Sequence, residues 1–225
     1  MPPVPIGVGR PSLHTVYTAL LAHFGPQHWW PGDTPAEVAI GAVLTQNTAW
    51  VGVEKAITAL KRAGALDFGV LDAMPEHRLA ELIRPAGTYR VKARRLGALA
   101  RWVVERAGGD LTVALTGGLA ELRGQLLAIH GIGPETADAI LLYAGGYPTF
   151  VVDAYTRRIL RRHGYIRSGA TYDEIQRLLE RAVPPDVSVY NEYHALLVVL
   201  AKRHCRVRAD CHGCPLAGFE HNESL

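Results

Sequence analysis

Three cysteines stand close together near the C-terminus, in the pattern Cys205-x5-Cys211-x2-Cys214. They are the only cysteines of the chain. Thiolates at such short intervals are ligands for zinc ions and iron–sulfur clusters, whereas an odd number of cysteines leaves one without a disulfide partner. The spacing therefore indicates metal or iron–sulfur ligation more than disulfide bonding.

A second chemical feature is the turn Gly131-Ile132-Gly133-Pro134, which joins two apolar helical segments within residues 126–141. The glycines permit close backbone approach and unusual dihedral angles, and Pro134 can begin the second helix. Such a turn exposes backbone N–H groups at a helix N-terminus, where an anion such as a DNA phosphate can bind. A helical hairpin without a ligand is the alternative interpretation.

Asp153 follows an apolar run twenty residues after Gly133, at the end of the segment 146–153. A helix is predicted to begin directly after it, so Asp153 can accept the free N–H groups of that helix as its N-cap. A fixed carboxylate can also stabilise the positive charge that develops on a sugar when an N-glycosidic bond breaks, and can orient the attacking water. The two roles are compatible.

Basic residues form local clusters on a nearly neutral background, since the formal net charge is only +3. Arginine forks match phosphate oxygens, so the clusters fit a basic stripe that faces a polyanion, although solvated helix faces would give the same pattern. The clusters are Arg90/Lys92/Arg94/Arg95, Arg157/Arg158/Arg161/Arg162 and Lys202/Arg203/Arg206/Arg208.

The elements that must position these residues are helical. Apolar residues recur at intervals of three and four, and Thr34-Pro35 has the form of a cap followed by the first helical residue. The segment 150–152 is the one run typical of a strand, and without a partner strand it is predicted to be a buried extended linker. Besides segments beginning near residues 12 and 35, helices are predicted over residues 50–63, 76–83, 89–107, 119–128, 134–143, 154–163, 172–182 and 190–203.

Composition limits the class of protein further. Hydrophobic residues make up 48% and charged residues 20% of the 225 residues, which is typical of a globular protein. The sequence has neither an apolar run of membrane-spanning length nor the apolar core of a signal peptide at its start. We therefore expect an all-α protein of about ten helices in the cytoplasm, associated with the nucleoid if the source is bacterial.

From about residue 35 to residue 214, these motifs together resemble the endonuclease III-like superfamily of helix-hairpin-helix DNA glycosylases. The resemblance implies two helical domains that flank a DNA-binding cleft. One discontinuous domain is expected from residues 1–29 and 147–225, with the cysteine loop, and a six-helix domain from 30–146, with the hairpin at about 126–141. It also implies a catalytic role for Asp153.

The resemblance further implies which residues contact duplex DNA that contains a damaged base. Gln46 lies in a loop similar to the one whose Gln enters the gap left by a flipped base; a polar helix cap is the alternative. Lys92 belongs to a segment that resembles the family's Gly-x-Tyr-x-x-Lys-Ala turn. The DNA-binding residues expected in all are Gln46, Gly131, Gly133, Thr136, Lys92 and Arg157.

Glu135 departs from the family's pattern. In members with abasic-site lyase activity, the position eighteen residues before the catalytic Asp is a Lys that attacks the sugar as a Schiff-base nucleophile. A carboxylate cannot form an imine. The sequence therefore predicts a monofunctional glycosylase that uses water and has weak or absent lyase activity.

Aromatic residues resemble those of the 3-methyladenine DNA glycosylase branch. There, aromatics from two segments stack on the damaged base, and an alkylated purine carries positive charge that is attracted to ring faces. The corresponding residues are Trp29, Trp30, Pro31 and Trp50, for which a place in the core is the alternative. The resemblance thus implies release of alkylated purines by a monomer, without membrane contact.

The cysteine loop resembles the family's four-cysteine iron–sulfur loop, but its last cysteine is missing. At that distance this chain has Glu220 and then His221. The expected ligands of a [4Fe-4S] cluster are Cys205, Cys211, Cys214 and His221, with Glu220 as another possible fourth ligand. A zinc site and a loop without metal are the alternatives.

Two functions of the whole protein remain as alternatives to an alkylated-purine glycosylase. One is an oxidised-pyrimidine glycosylase with lyase activity, and the other is a non-catalytic DNA-binding module.

Overall fold

The computed structural model describes residues 10–29 and 32–222, and this part of the chain is helical without β-strands. The predicted all-α class is therefore confirmed. In chain order the α-helices are α1 (Leu13–Phe24), α2 (Pro35–Leu44), α3 (Trp50–Arg62), α4 (Phe68–Ala73), α5 (Glu76–Leu82), α6 (Tyr89–Ala107), α7 (Leu111–Ala114), α8 (Leu119–Ala128), α9 (Pro134–Ala139), α10 (Ala154–Arg162), α11 (Tyr172–Glu180) and α12 (Val187–Arg203). A 3₁₀ turn at Arg84–Ala86 precedes α6, and a π-helical turn at Ile140–Ala144 continues α9.

The chain divides into two compact units, which we call the terminal unit and the hairpin unit. The terminal unit comprises Met1–Trp29 and Pro148–Leu225, and the hairpin unit comprises Trp30–Tyr147. Among the described residues, the hairpin unit holds the eight helices α2–α9 rather than the six that the sequence predicts. The additional helices α4 and α7 are too short to show periodicity, but each begins after an Asp N-cap, Asp67 or Asp110.

The hairpin unit is built around α6. Its apolar residues recur on one face, and Leu96, Leu99 and Val103 are almost fully buried against the surrounding helices. Helices α2, α4, α5 and α7 pack on α6. Each fully buried Leu or Val contributes about 1.5–3 kcal/mol of apolar burial, so this face holds α6 in place and fixes where its polar residues point.

The terminal unit packs α12 against α1 and α10. The buried ring of Tyr193 lies 5.1 Å from the ring of Tyr17 and 5.6 Å from that of Phe150, measured between centroids. Residues 150–152 are buried in irregular backbone, as predicted for an extended linker. This linker carries the chain to the start of α10, directly after Asp153. In the described part of the chain, no helix is long and apolar enough to cross a membrane.

Candidate active site and nucleic-acid interface

The turn between α8 and α9 places two glycines in different backbone environments. Gly131 has a φ of +83°, and a Cβ there would collide with the side chain of Arg95. Gly133 has an ordinary extended backbone, and a Cβ there would meet open space. The fold therefore requires glycine at position 131, whereas nothing within the folded chain requires it at position 133.

An ion pair inside the hairpin joins its two helices. Asp138 on α9 is fully buried and accepts hydrogen bonds from Arg123 on α8, at 2.8 Å from Nε and 3.1 Å from Nη2. A bidentate pair fixes the orientation of both side chains as well as their distance. It therefore holds the two helices at one angle and keeps the turn between them in shape.

Gln46, in the loop after α2, is bound to this turn through its side chain. Its Nε2 donates to the Gly131 carbonyl at 3.2 Å and to Thr136 Oγ1 at 2.9 Å, and its Oε1 accepts a hydrogen bond from Arg95. The structure thus brings together three of the predicted DNA-binding residues, Gln46, Gly131 and Thr136. Insertion of Gln46 into a duplex would have to break these bonds.

Lys92 is a correction to the sequence analysis. The resemblance predicts that it contacts DNA, but its side chain is fully buried in the hairpin unit. Its Nζ donates to the carbonyl oxygens of Leu44 and Ala86 at 2.7 and 2.6 Å, and to Thr48 Oγ1 at 2.5 Å. Burial, followed by the charge of Arg95, lowers its pKa to about 8.

Lys92 therefore acts as an internal brace of the loop that carries Gln46. Its Gly-x-Tyr-x-x-Lys-Ala setting gives no sign of this, because two of the three oxygen acceptors, from Leu44 and Thr48, are distant from Lys92 in the sequence. Of the other predicted DNA-binding residues, Thr136 is buried, and Arg157 is half-buried and donates to the carbonyl of Ala170. Their contacts with DNA stay predictions.

Asp153 caps α10 in the terminal unit. Its Oδ1 accepts a hydrogen bond of 2.7 Å from the Thr156 N–H, and its Oδ2 lies 3.6 Å from Nε2 of His194. Burial alone would raise the pKa of Asp153, but His194 and the Thr156 N–H outweigh burial, so the pKa of this carboxyl is lowered. A largely enclosed carboxylate with a lowered pKa at this position can face positive charge on a bound ligand.

His194 is a site residue that the sequence analysis missed. It lies in α12 with only 5% of its surface exposed, and its ring centroid is 5.7 Å from that of Trp29. His194 thereby connects the predicted catalytic carboxylate with one of the predicted base-stacking residues. The available signal was a titratable side chain within the apolar stretch of α12, although its partner could not be read from the sequence.

The remaining predicted pocket and catalytic residues are Trp30, Pro31, Trp50 and Glu135. Trp30 and Pro31 lie outside the described residues. Trp50 is 36% exposed at the start of α3, with its Nε1 donating to Glu54 at 2.8 Å, so it is not a core residue. Glu135 is exposed in the first turn of α9.

The cysteine loop surrounds a small cavity in the terminal unit. Cys205, Cys211, Cys214 and His221 all line it, and Cys211 Sγ lies 3.5 Å from His221 Nε2. The buried Arg162 donates to Cys205 Sγ at 3.1 Å. Glu220 is not among the residues that line the cavity, and its carbonyl oxygen contacts His163.

Comparison with known proteins decides the family. Residues 40–185 match the HhH-GPD superfamily of base excision DNA repair proteins. The chain belongs to this superfamily. A member from Methanocaldococcus jannaschii, named as a DNA repair glycosylase, is 46% identical over 208 residues, which cover 92% of this chain and 94% of that protein. Endonuclease III of Thermotoga maritima is 30% identical and covers 76% of this chain, with 75% of its own length matched.

Solved HhH-GPD structures share the fold. The structure of H. pylori 3-methyladenine DNA glycosylase bound to 1,N6-ethenoadenine has a TM-score of 0.76, with 28% identity over 86% of this chain and 98% of that chain. An endonuclease III trapped as a covalent intermediate with DNA has a TM-score of 0.78 at 23% identity, covering 92% of this chain and 93% of that chain, and this likeness concerns the fold alone. The expected endonuclease III-like membership is confirmed.

The resemblance of the cysteine loop to a four-cysteine iron–sulfur loop raises the question of whether the residues present here fit a metal group. The chemistry of the side chains fits a metal ion or an iron–sulfur cluster, because three thiols and one imidazole line a single cavity. Within the described residues, however, no three His, Cys, Asp or Glu side chains are already gathered as a site for one metal ion. Metal binding therefore stays a proposal.

Proposed function

We propose that this HhH-GPD protein is a monofunctional DNA glycosylase that flips a damaged base out of duplex DNA and hydrolyses its N-glycosidic bond, with alkylated purines as substrates. The observation that carries the proposal is Asp153, a carboxylate that is only 14% exposed and has a lowered pKa at the start of α10. Such a group can stabilise the oxocarbenium-like charge that develops on the sugar and can orient the attacking water.

The hairpin supplies the grip on DNA. The open space at Gly133 lets a phosphate approach the backbone N–H groups of the turn closely, and the Arg123–Asp138 pair keeps that turn rigid. Base flipping is needed because the reacting carbon of the sugar is hidden in the stacked duplex. Gln46, released from Thr136 and Gly131, fills the space that the base leaves.

The positions of the lysines support release of the base by water, without a lyase step. The family's lyase position is Glu135, and the chain has only four lysines, at positions 55, 61, 92 and 202. Lys92 is buried among carbonyl oxygens, and Lys61 forms ion pairs of 2.8 Å with Asp33 and Glu37. None of the four lies within the hairpin or next to Asp153 in the sequence.

Preference for alkylated purines is supported by aromatic residues and by one relative. Trp29 lies beside His194, the neighbour of Asp153, and can stack on a base held near that carboxylate. Cationic alkylated bases are attracted to aromatic ring faces more strongly than neutral bases. The similar H. pylori enzyme is a 3-methyladenine glycosylase, at 28% identity.

We also propose that Cys205, Cys211, Cys214 and His221 hold a [4Fe-4S] cluster. When bound, the cluster would brace the C-terminal loop and take no part in bond cleavage. Arg162 assists by donating to Cys205 Sγ and to the carbonyls of Arg206 and Val207, which holds the loop around its first ligand.

A panel of duplexes tests the proposed function. Duplexes that contain 3-methyladenine, thymine glycol or an abasic site are incubated with the protein, and products are scored with and without alkali. Release of 3-methyladenine that leaves an alkali-labile abasic site is the expected result. Cleavage at thymine glycol without alkali would instead support the endonuclease III-type activity suggested by the 30% identical T. maritima protein.

A further inference from the structure

Asp153 has two carboxylate oxygens in different environments. Oδ1 receives the Thr156 N–H at 2.7 Å, within the chain's own helix cap. Oδ2 faces Nε2 of His194 at 3.6 Å, from a helix more than thirty residues away in sequence. The side chains of Asp153 and His194 are only 14% and 6% exposed, so water screens their interaction weakly.

His194 is unusual for its position in α12. Its neighbours Ala195, Leu196 and Leu197 are buried apolar residues, and a titratable side chain in such a place is costly to bury unless it interacts with another polar group. The α10 cap alone does not require it, because Thr156 already binds Asp153. A cap of the same kind, Asp186 at the start of α12, has Val189 N–H as its bond partner.

We propose that His194 is a positioning residue for Asp153, which holds the second oxygen of the carboxylate in the orientation needed to face the sugar and links it to the base-stacking ring of Trp29. This inference rests on the proposed catalytic role of Asp153. Two contacts on opposite oxygens restrict rotation of the carboxylate, whereas the helix cap by itself fixes only one oxygen. Contact of the same imidazole with Trp29 couples the position of that ring to the carboxylate.

The lowered pKa of Asp153 agrees with its close approach to His194. His194 is among the causes that lower the pKa of Asp153 against the opposing effect of burial. When His194 is replaced by an apolar residue, burial remains and the compensation from the imidazole is lost. The pKa of Asp153 should then rise, and the carboxylate should become protonated at a higher pH than in the wild type.

Two variants test the proposal. His194→Leu removes the polar group and keeps most of the volume, and His194→Gln replaces the imidazole by a neutral amide that has an N–H group. The Asp153 carboxyl carbon is titrated by NMR in each protein, and single-turnover base release is measured across pH. We expect the carboxyl titration and the acid limb of the rate profile of His194→Leu to move together to higher pH, with base release lowered about 10- to 100-fold and duplex affinity unchanged.

His194→Gln should recover most of the rate at high pH, because it restores the orientation of the carboxylate. Equal titration of Asp153 in all three proteins, or equal loss of rate in both variants at every pH, would overturn the proposal. If wild type releases no lesion, the proposed function fails, but the carboxyl titration still decides whether His194 and Asp153 interact. If His194→Leu does not fold, as judged by circular dichroism, His194→Met takes its place as the apolar variant in the same comparison.

Discussion

The side chain of Arg95 lies directly against Gly131, in the space that a Cβ at this position would occupy, while its guanidinium binds Gln46. The hairpin turn can therefore pack closely against α6 only because Gly131 has no side chain. The second glycine, Gly133, faces open space. Gly131 is thus required by the fold of the turn, whereas Gly133 is available for the proposed contact with DNA.

The first prediction compares these glycines. Gly131→Ala should lower the free energy of unfolding by about 1–3 kcal/mol, because it combines a left-handed backbone with overpacking. Gly133→Ala should leave stability within about 1 kcal/mol of wild type, yet weaken duplex binding, since its methyl group stands where a phosphate approaches. Urea denaturation and fluorescence anisotropy measure the two effects. Unchanged duplex affinity of Gly133→Ala would remove the hairpin turn from the DNA interface.

A second prediction concerns Asp153. Asp153→Asn should lower single-turnover base release by roughly 100-fold or more, because the neutral amide cannot stabilise developing positive charge, and should leave duplex affinity nearly unchanged. The control is Asp186→Asn, which alters a helix cap of the same kind in the terminal unit. It should cost at most about 1 kcal/mol of stability and spare base release. Similar activity of the two variants would reduce Asp153 to a helix cap.

Glu135 gives the third prediction. Wild type should leave an intact abasic site, and borohydride, which reduces an imine to a permanent protein–DNA bond, should trap little protein. Glu135→Lys places an amine at the family's lyase position, so strand cleavage and borohydride trapping should appear. Glu135→Gln is the control that removes the charge without adding a nucleophile. Efficient trapping by wild type would mean that another amine acts, and the monofunctional assignment would have to be abandoned.

The fourth prediction is that stability depends on pH because the pKa of Lys92 is lowered. The pKa of Lys92 is about 8 in the folded protein, whereas the ordinary value of 10.5 applies to the unfolded chain. Between pH 8 and pH 10.5 the unfolded chain therefore binds more protons than the folded protein. The free energy of unfolding contributed by this group therefore rises from pH 8 to pH 10.5, by up to about 1.4 kcal/mol per pH unit. Urea denaturation at pH 7, 8.5 and 10 should show the rise in wild type and its loss in Lys92→Met.

The exposed Lys55 on α3 provides the matched control for this series. Lys55→Met should follow the wild-type dependence, because the substitution leaves the interior unchanged. Parallel curves for wild type and Lys92→Met would contradict the lowered pKa of Lys92 and its place in the interior.

The fifth prediction concerns the cysteine loop. Protein purified without oxygen should contain iron, and Cys211→Ser should lose it, because the thiolate is one of four proposed ligands. The control is His212→Ala, since His212 is exposed beside Cys211 and is not among those ligands. Elemental analysis measures iron and zinc together. Zinc in place of iron would indicate a Cys3His site, and protein without either metal would identify the loop as structural only.

The sequence alone determined those features that depend only on residues close together in the chain. The Gly131–Gly133 turn, the Thr34 and Asp153 caps and the all-helical class arise from backbone geometry and apolar periodicity within a few residues. The replacement of the lyase Lys by Glu135 is likewise visible without coordinates. Such local patterns also revealed the candidate ligands Cys205, Cys211 and Cys214.

Only the tertiary structure decided which distant polar groups meet. Nothing near Lys92 in the sequence indicates that its ammonium group meets the carbonyl of Leu44 and the hydroxyl of Thr48, and nothing near Asp153 indicates His194. The physical reason is that burial and pairing of a charged side chain depend on how whole helices pack, and packing is set by apolar faces that do not encode which polar residues they bring together. A basic residue in a cluster can therefore become an internal brace, and a histidine in an apolar helix can become the neighbour of the carboxylate that we propose to be catalytic.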